Sequence, residues 1–106
     1  MNELKFPDKF LFGTAVASYQ VEGGIYNNDW TIWENKKNSV CVEPCNEACN
    51  HYELIDEDIN LLKTLGIKAF RFSIEWSRIE PTQGIFNDDE INHYVDKANK
   101  LISNDI

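Results

Sequence analysis

The stretch Ala69-Phe70-Arg71-Phe72-Ser73-Ile74-Glu75-Trp76 alternates apolar and polar side chains, so as a strand it places Phe70, Phe72 and Ile74 on one face and Arg71, Ser73 and Glu75 on the other. A helix is expected before it. Tyr52, Ile55, Ile59, Leu62 and Leu65 recur at steps of three and four, and Gly66 follows as a left-handed stop, which predicts about fourteen helical residues. Upstream of that helix, Phe10-Leu11-Phe12-Gly13-Thr14-Ala15 is a short aromatic-rich run ending in small residues and predicts a first buried strand. Downstream, a turn at Pro81-Thr82-Gln83-Gly84 precedes Asn87-Asp88-Asp89-Glu90, an N-cap with a Glu three positions on. Ile91, Tyr94, Val95, Ala98, Leu101 and Ile102 then form a helical stripe.

Strand, long loop, helix, strand, helix is a βαβ unit plus a helix that wants a third strand. Between Ser18 and Asn50, Gly23, Gly24, Asn27, Asn28, Pro44 and Asn46 break every periodicity, so this span reads as loop with one helical turn around Trp30 to Glu34. Loops of that length in a compact domain are often functional. No internal repeat beyond the βα alternation and no domain linker is visible.

Composition narrows the classes of function. Of the 106 residues 42% are hydrophobic, which predicts a packed core, and the net charge of −8 without any Lys/Arg stripe argues against nucleic acid or an anionic membrane as partner. Met1 to Asp8 carry charges and a proline where a secretory signal needs an apolar run, so a cytoplasmic location is expected. Cys41, Cys45 and Cys49 are odd in number and share one stretch. Their C-x3-C-x3-C-x-H spacing with His51 departs from zinc patterns, so they read as reduced thiols rather than as disulfides or metal ligands.

Several residues could carry chemistry. Arg71, opposite Phe70 and Phe72, would point into a barrel interior if those aromatics face outer helices, and a cation there must find an anion. Glu75 on the same face lies roughly 13 Å along the strand, too far to pair. Two readings of Arg71 therefore stand: a seal paired with a loop carboxylate such as Glu22, or support for a catalytic group. Gln20 follows the first strand, where the loops at the carboxyl ends of barrel strands build active sites. Its amide can bind two adjacent sugar hydroxyls at once, although taken alone it reads first as a turn or surface residue. Trp30, Trp33 and Trp76 could stack on sugar faces, but core packing is the plainer expectation for each.

The block Phe10-Leu-Phe-Gly-Thr-Ala-Val-Ala-Ser-Tyr-Gln-Val-Glu-Gly23 is similar to the amino-terminal signature of the family 1 glycoside hydrolases, F-x-F-G-x-A-(T/S)-x-x-Y-Q-x-E-G. Ala48-Cys49-Asn50-His51-Tyr52 resembles that family's A-C-D-H-Y, and Ala69 to Pro81 resembles its Y-R-F-S-I-x-W-S-R-I-x-P. Departures are Val16 where Thr or Ser is common, Asn50 for Asp, which could cost His51 a local ion pair, and the unexplained Cys41 and Cys45. The resemblance implies an α/β fold in which residues 1–106 are the incomplete N-terminal segment of a single (β/α)8 TIM-barrel domain: the first two βα units and the long first loop.

It further implies a retaining β-glycosidase acting on β-linked glucosides or galactosides without a cofactor. The position matching Gln20 binds hydroxyls of the non-reducing-end sugar, and the position matching Arg71 contacts the nucleophilic carboxylate, lowering its pKa so that it stays ionised. The two carboxylates of such a site stand about 5 to 5.5 Å apart. In the family they belong to T-x-N-E-P and (I/V)-T-E-N-G blocks, neither of which occurs here; Glu43-Pro44 and Asn46-Glu47 imitate the former but lie in a loop before the A-C-N-H-Y block and read as solvated. No catalytic residue is therefore assigned within this chain, Glu75 stays a minor site candidate, and the chain alone is expected to be inactive. Rival readings are a 6-phospho-β-glycosidase, a non-catalytic sugar-binding or scaffold relative, and a βαβ nucleotide-binding domain. The last is weakened because Gly13, Gly23 and Gly24 form no G-x-G-x-x-G turn.

Overall fold

A computed structural model describes residues 2–106; Met1, where the amino-terminal stretch read above begins, lies outside the described residues. The elements are β1 (Gly13–Ala15), α1 (Ser18–Val21), α2 (Asp29–Glu34), α3 (Ile55–Thr64), β2 (Ala69–Arg71), α4 (Trp76–Ile79) and α5 (Asp88–Ser103). The strands pair in parallel with Gly13 opposite Ala69, Thr14 opposite Phe70 and Ala15 opposite Arg71. Parallel neighbours need a crossover, and α3 provides it.

Alternation along β2 decides the core. Phe70 and Phe72 pack against a cluster of Ile55, Ile59 and Leu62 from α3 and Leu101 from α5, with Ile67 and Ile106 at its margin. Arg71, between the two phenylalanines, is left on the opposite face of the sheet and is exposed. No helix among the described residues is long and apolar enough to cross a membrane.

Both expected strands are shorter than the sequence pattern suggests. Regular pairing covers Gly13–Ala15 instead of the whole run from Phe10, extended by Lys68 N–H donating to Phe12 O at 3.0 Å before it and by Val16 N–H donating to Arg71 O after it. Phe6, Phe10 and Phe12 gather on one another, with ring centroids 4.7 to 5.0 Å apart. The second strand ends at Arg71 instead of Trp76. There Ser73 turns to accept from Ser18 N–H, and Glu75 becomes the N-cap of α4, so Trp76 starts a helical turn. With no strand on the far edge of β2, nothing keeps residues 72–75 extended.

Helix α3 has ten residues, not about fourteen, because Asn50 is left-handed at φ 53° and its carbonyl closes a turn onto Glu53 and Leu54 N–H before the helix begins at Ile55. The stop at Gly66 is as read, with φ 72° and its N–H on Lys63 O at 3.0 Å. Asn87 caps α5 through Asp89 and Glu90 N–H, at 3.1 and 3.3 Å. Glu90 leaves the capping box and accepts from Tyr52 OH at 2.8 Å instead. The loop from Ser18 to Asn50 holds α2, where one helical turn was expected, and also α1, which the sequence pattern did not announce.

Half of the α5 apolar stripe, Ile91, Val95 and Ile102, finds no cover in this chain. Ile91, Val95 and Ala98 of α5 line an open groove with Phe72, Ile74 and Trp76. Trp33, Trp30 and Trp76 are 43, 55 and 59% exposed, so the expectation that each is a core residue fails here: two βα units do not enclose enough volume to bury them.

Candidate functional site

The site lies at the carboxyl end of the sheet. Val16 N–H donates to Arg71 O at 2.9 Å, carrying the β1–β2 pairing one step further, and the chain then turns into α1, which holds Gln20. Gln20 is exposed, its backbone N–H bonded to Ala17 O at 3.0 Å while its amide makes no hydrogen bond among the described residues. A cleft of about 380 Å³ opens beside it, with Tyr19, Trp30, Glu34, Cys41 and Cys45 in its walls. Tyr19 and Trp30 lie near-parallel at 6.5 Å, and Tyr19 OH donates to Glu34 at 2.5 Å. Burial and that carboxylate push the Tyr19 phenol up to about 12, so it stays a donor across the physiological range.

On the other side of Gln20 stands the loop Cys45–Asn50. Asn46, Ala48 and Asn50 all have positive φ, between 44° and 53°, a concentration of left-handed non-glycine residues that surrounding contacts must hold in place. Gly24 N–H to Asn46 O at 2.9 Å and His51 N–H to Val21 O at 2.9 Å supply two of these. Gly23, at φ 80°, lies so close that a Cβ there would stand 2.2 Å from Glu47 O. Asn50 in place of Asp costs His51 no partner, because Asp58 of α3 reaches its Nδ1 at 2.5 Å. With that nitrogen engaged, the C-x3-C-x3-C-x-H stretch brings no converging ligand set; Cys41 and Cys45 are half-buried, Cys49 is exposed, and burial beside Glu34 raises the Cys45 thiol.

The suggestion that Glu22 seals Arg71 is corrected by the coordinates. Glu22, 1% exposed, accepts from Arg78 Nε at 3.2 Å and from Tyr94 OH at 2.9 and 3.0 Å; Arg78 also donates to Gly23 O at 2.7 Å and lies over the Tyr52 ring at 4.1 Å. Arg78 was in the quoted W-S-R-I block but carried no assigned role, and Tyr94 was read as core only. A buried acid in a motif followed by two glycines was the available signal, since a carboxylate that deep must find donors. Arg71 is exposed and makes no ion pair among the described residues.

Glu75 is likewise spoken for. It is buried, accepts from Ser18 Oγ at 2.9 Å and from Ser77 Oγ at 2.7 Å, and its N–H donates to Tyr94 OH at 3.1 Å. That makes it a clamp on α1 and a cap on α4 instead of a site carboxylate. Glu43 and Glu47, the imitation of an N-E-P block, are exposed, and Glu47 accepts from Tyr26 OH at 3.0 Å. The structure thus brings Gln20 and Arg71 to the same end of the sheet with both polar heads free, and among the described residues no free, buried carboxylate stands beside them.

Comparison with known proteins bears on this arrangement. Residues 2–106 match the family model described as glycosyl hydrolase family 1. Myrosinase 1 of Brevicoryne brassicae is 41% identical over 115 residues, covering 98% of this chain and 24% of that protein. Beta-glucosidase A of Acetivibrio thermocellus is 38% identical, covering 100% of this chain and 25% of its own length. The solved β-glycosidase from Pyrococcus horikoshii superposes with a TM-score of 0.87 at 44% identity, over 97% of this chain and 24% of that one. The chain spans about a quarter of the length of the curated relatives it matches.

Proposed function

The chain belongs to glycosyl hydrolase family 1, its fold being the N-terminal part of a (β/α)8 barrel, and on that footing we propose that it forms part of the sugar site of a retaining β-glycosidase. Gln20 would take two adjacent hydroxyls of a β-linked glucoside or galactoside, one on its carbonyl and one on its NH₂. Arg71 would stand beside the nucleophilic carboxylate, holding it ionised at neutral pH while the acid/base carboxyl keeps its proton for the leaving oxygen. Both carboxylates would come from strands beyond these two, and no cofactor enters this chemistry.

The observation that carries the reading is the pairing of free polar heads: an exposed amide and an unopposed guanidinium at one end of one sheet, both within matched family blocks. Neither carboxylate block occurs in these 106 residues, so the chain is proposed to be inactive alone while its exposed Gln20 amide stays open to a sugar hydroxyl. The test exchanges the matching quarter of the Acetivibrio thermocellus β-glucosidase A for this chain and assays an aryl β-D-glucoside. The exchanged enzyme should turn over, Gln20→Ala should lower kcat/KM by roughly 10- to 150-fold, and Arg71→Met should lower kcat at least as far. Turnover by the isolated chain, or full activity in both variants, would sink the proposal.

A further inference from the structure

Helix α1 is only four residues long, yet both of its ends are bonded to distant parts of the chain. At its start, Ser18 N–H donates to Ser73 Oγ at 2.7 Å and Ser18 Oγ donates to Glu75 Oε2 at 2.9 Å. At its end, Glu22 is held by Tyr94 and Arg78, and its carbonyl accepts from Tyr52 N–H at 3.2 Å. The proposed sugar chemistry uses none of these groups. Burying a carboxylate and a guanidinium together is an expensive way to pack, which apolar residues of equal volume often match or better. What the pair does achieve is direction, because its hydrogen bonds fix one orientation where an apolar contact allows several. Between the two clamps lies Gln20, its backbone fixed and its amide unengaged.

We infer that Ser18 and Glu22 are positioning residues for Gln20, clamping α1 at both ends so that the amide is presented to a sugar at a set angle. The inference rests on Gln20 being a hydroxyl ligand. The two clamps meet at Tyr94, whose OH accepts from Glu75 N–H and donates to Glu22, but each holds its own end of α1: Ser18 through Ser73 and Glu75, Glu22 through Arg78 and Tyr94. Changing Ser18 leaves the donors of Glu22 in place, and changing Glu22 leaves Ser18 bonded to Ser73 and Glu75.

The test uses the complete 106-residue chain labelled with ¹⁵N. Hydrogen exchange is followed at the Gln20 backbone amide, and methyl β-D-glucopyranoside is titrated while the Gln20 side-chain NH₂ resonances are observed. Glu22→Gln and Ser18→Ala should each speed Gln20 exchange about tenfold, the factor set by one charge-assisted hydrogen bond. They should also weaken the glucoside response several-fold, with α5 amides speeding up less than Gln20 does. Ser18→Thr, which keeps the hydroxyl, should restore both. Gln20 exchange that stays unchanged in Glu22→Gln and Ser18→Ala, or rises only in step with α5, overturns the positioning role. A Gln20 NH₂ signal that ignores the glucoside in the parent chain overturns the ligand reading instead, and the exchange arm still decides the clamp.

Discussion

Gly23 and Gly24 form a natural experiment, since both have positive φ, at 80° and 67°, but only one is crowded. Replacing either with alanine pays the left-handed penalty of about 1–2 kcal/mol. For Gly24→Ala that is the whole cost, because nothing lies within 4 Å of the new methyl group. Gly23→Ala meets Glu47 O at 2.2 Å and Glu47 C at 2.7 Å, more than an ångström inside ordinary contact, and both are backbone atoms that cannot swing aside. The Cys45–Asn50 loop must then move, releasing Gly24 N–H from Asn46 O and His51 N–H from Val21 O, at about 1 kcal/mol each. Gly23→Ala should therefore cost about 3–4 kcal/mol. Urea unfolding followed by far-UV circular dichroism measures both variants against the parent; with a slope of about 1–3 kcal/mol per molar, their midpoints should differ by about 0.7–2 M. Midpoints that agree within error would refute the argument that close approach of the two loops, and not φ alone, demands glycine at position 23.

Other expectations follow from the same coordinates. Leu101→Ala, in the only buried α5 position that joins the α3 cluster, should cost about 2–5 kcal/mol, whereas Val95→Ser on the open groove should cost less than about 0.5 kcal/mol in this chain; comparable losses would mean the groove is covered. His93 stacks on Tyr52 at 3.8 Å, and burial holds its imidazole below the ordinary 6.5. Between the two values the unfolded chain binds more protons, so the stability it contributes is complete above pH 6.5 and drains as pH falls through that range. His93→Gln should flatten the slope of unfolding free energy between about pH 7 and 5, and a parent and variant with the same slope there would contradict the assignment. Tyr94→Phe keeps the ring but strips one donor from Glu22 and the acceptor of Glu75 N–H, which should lower stability by about 2–4 kcal/mol in the same urea assay.

What could be read from the sequence were features set by local covalent chemistry and short-range periodicity. The α5 stripe, the core of the α3 stripe from Ile55 to Leu62, the glycine stop at Gly66 and the Asn87 cap follow from 3.6-residue spacing and from which residues tolerate left-handed or capping geometry, whereas the start of α3 falls three residues later than the stripe suggests. Gln20 and Arg71 became legible as site candidates through the resemblance of their blocks to the family signature, since taken alone Gln20 reads first as a turn or surface residue and Arg71 equally as a seal. Strand lengths were not legible, since a strand persists only as far as its neighbour does, and β2 has a neighbour on one edge alone. Nor was the partner of Glu22, for which the sequence offers ten Lys and Arg residues and several phenols. Only the packing of α4 and α5 against α1 brings Arg78 and Tyr94 to it and leaves Arg71 free, because a buried charge is satisfied by whichever donors the tertiary fold delivers and not by those nearest along the chain.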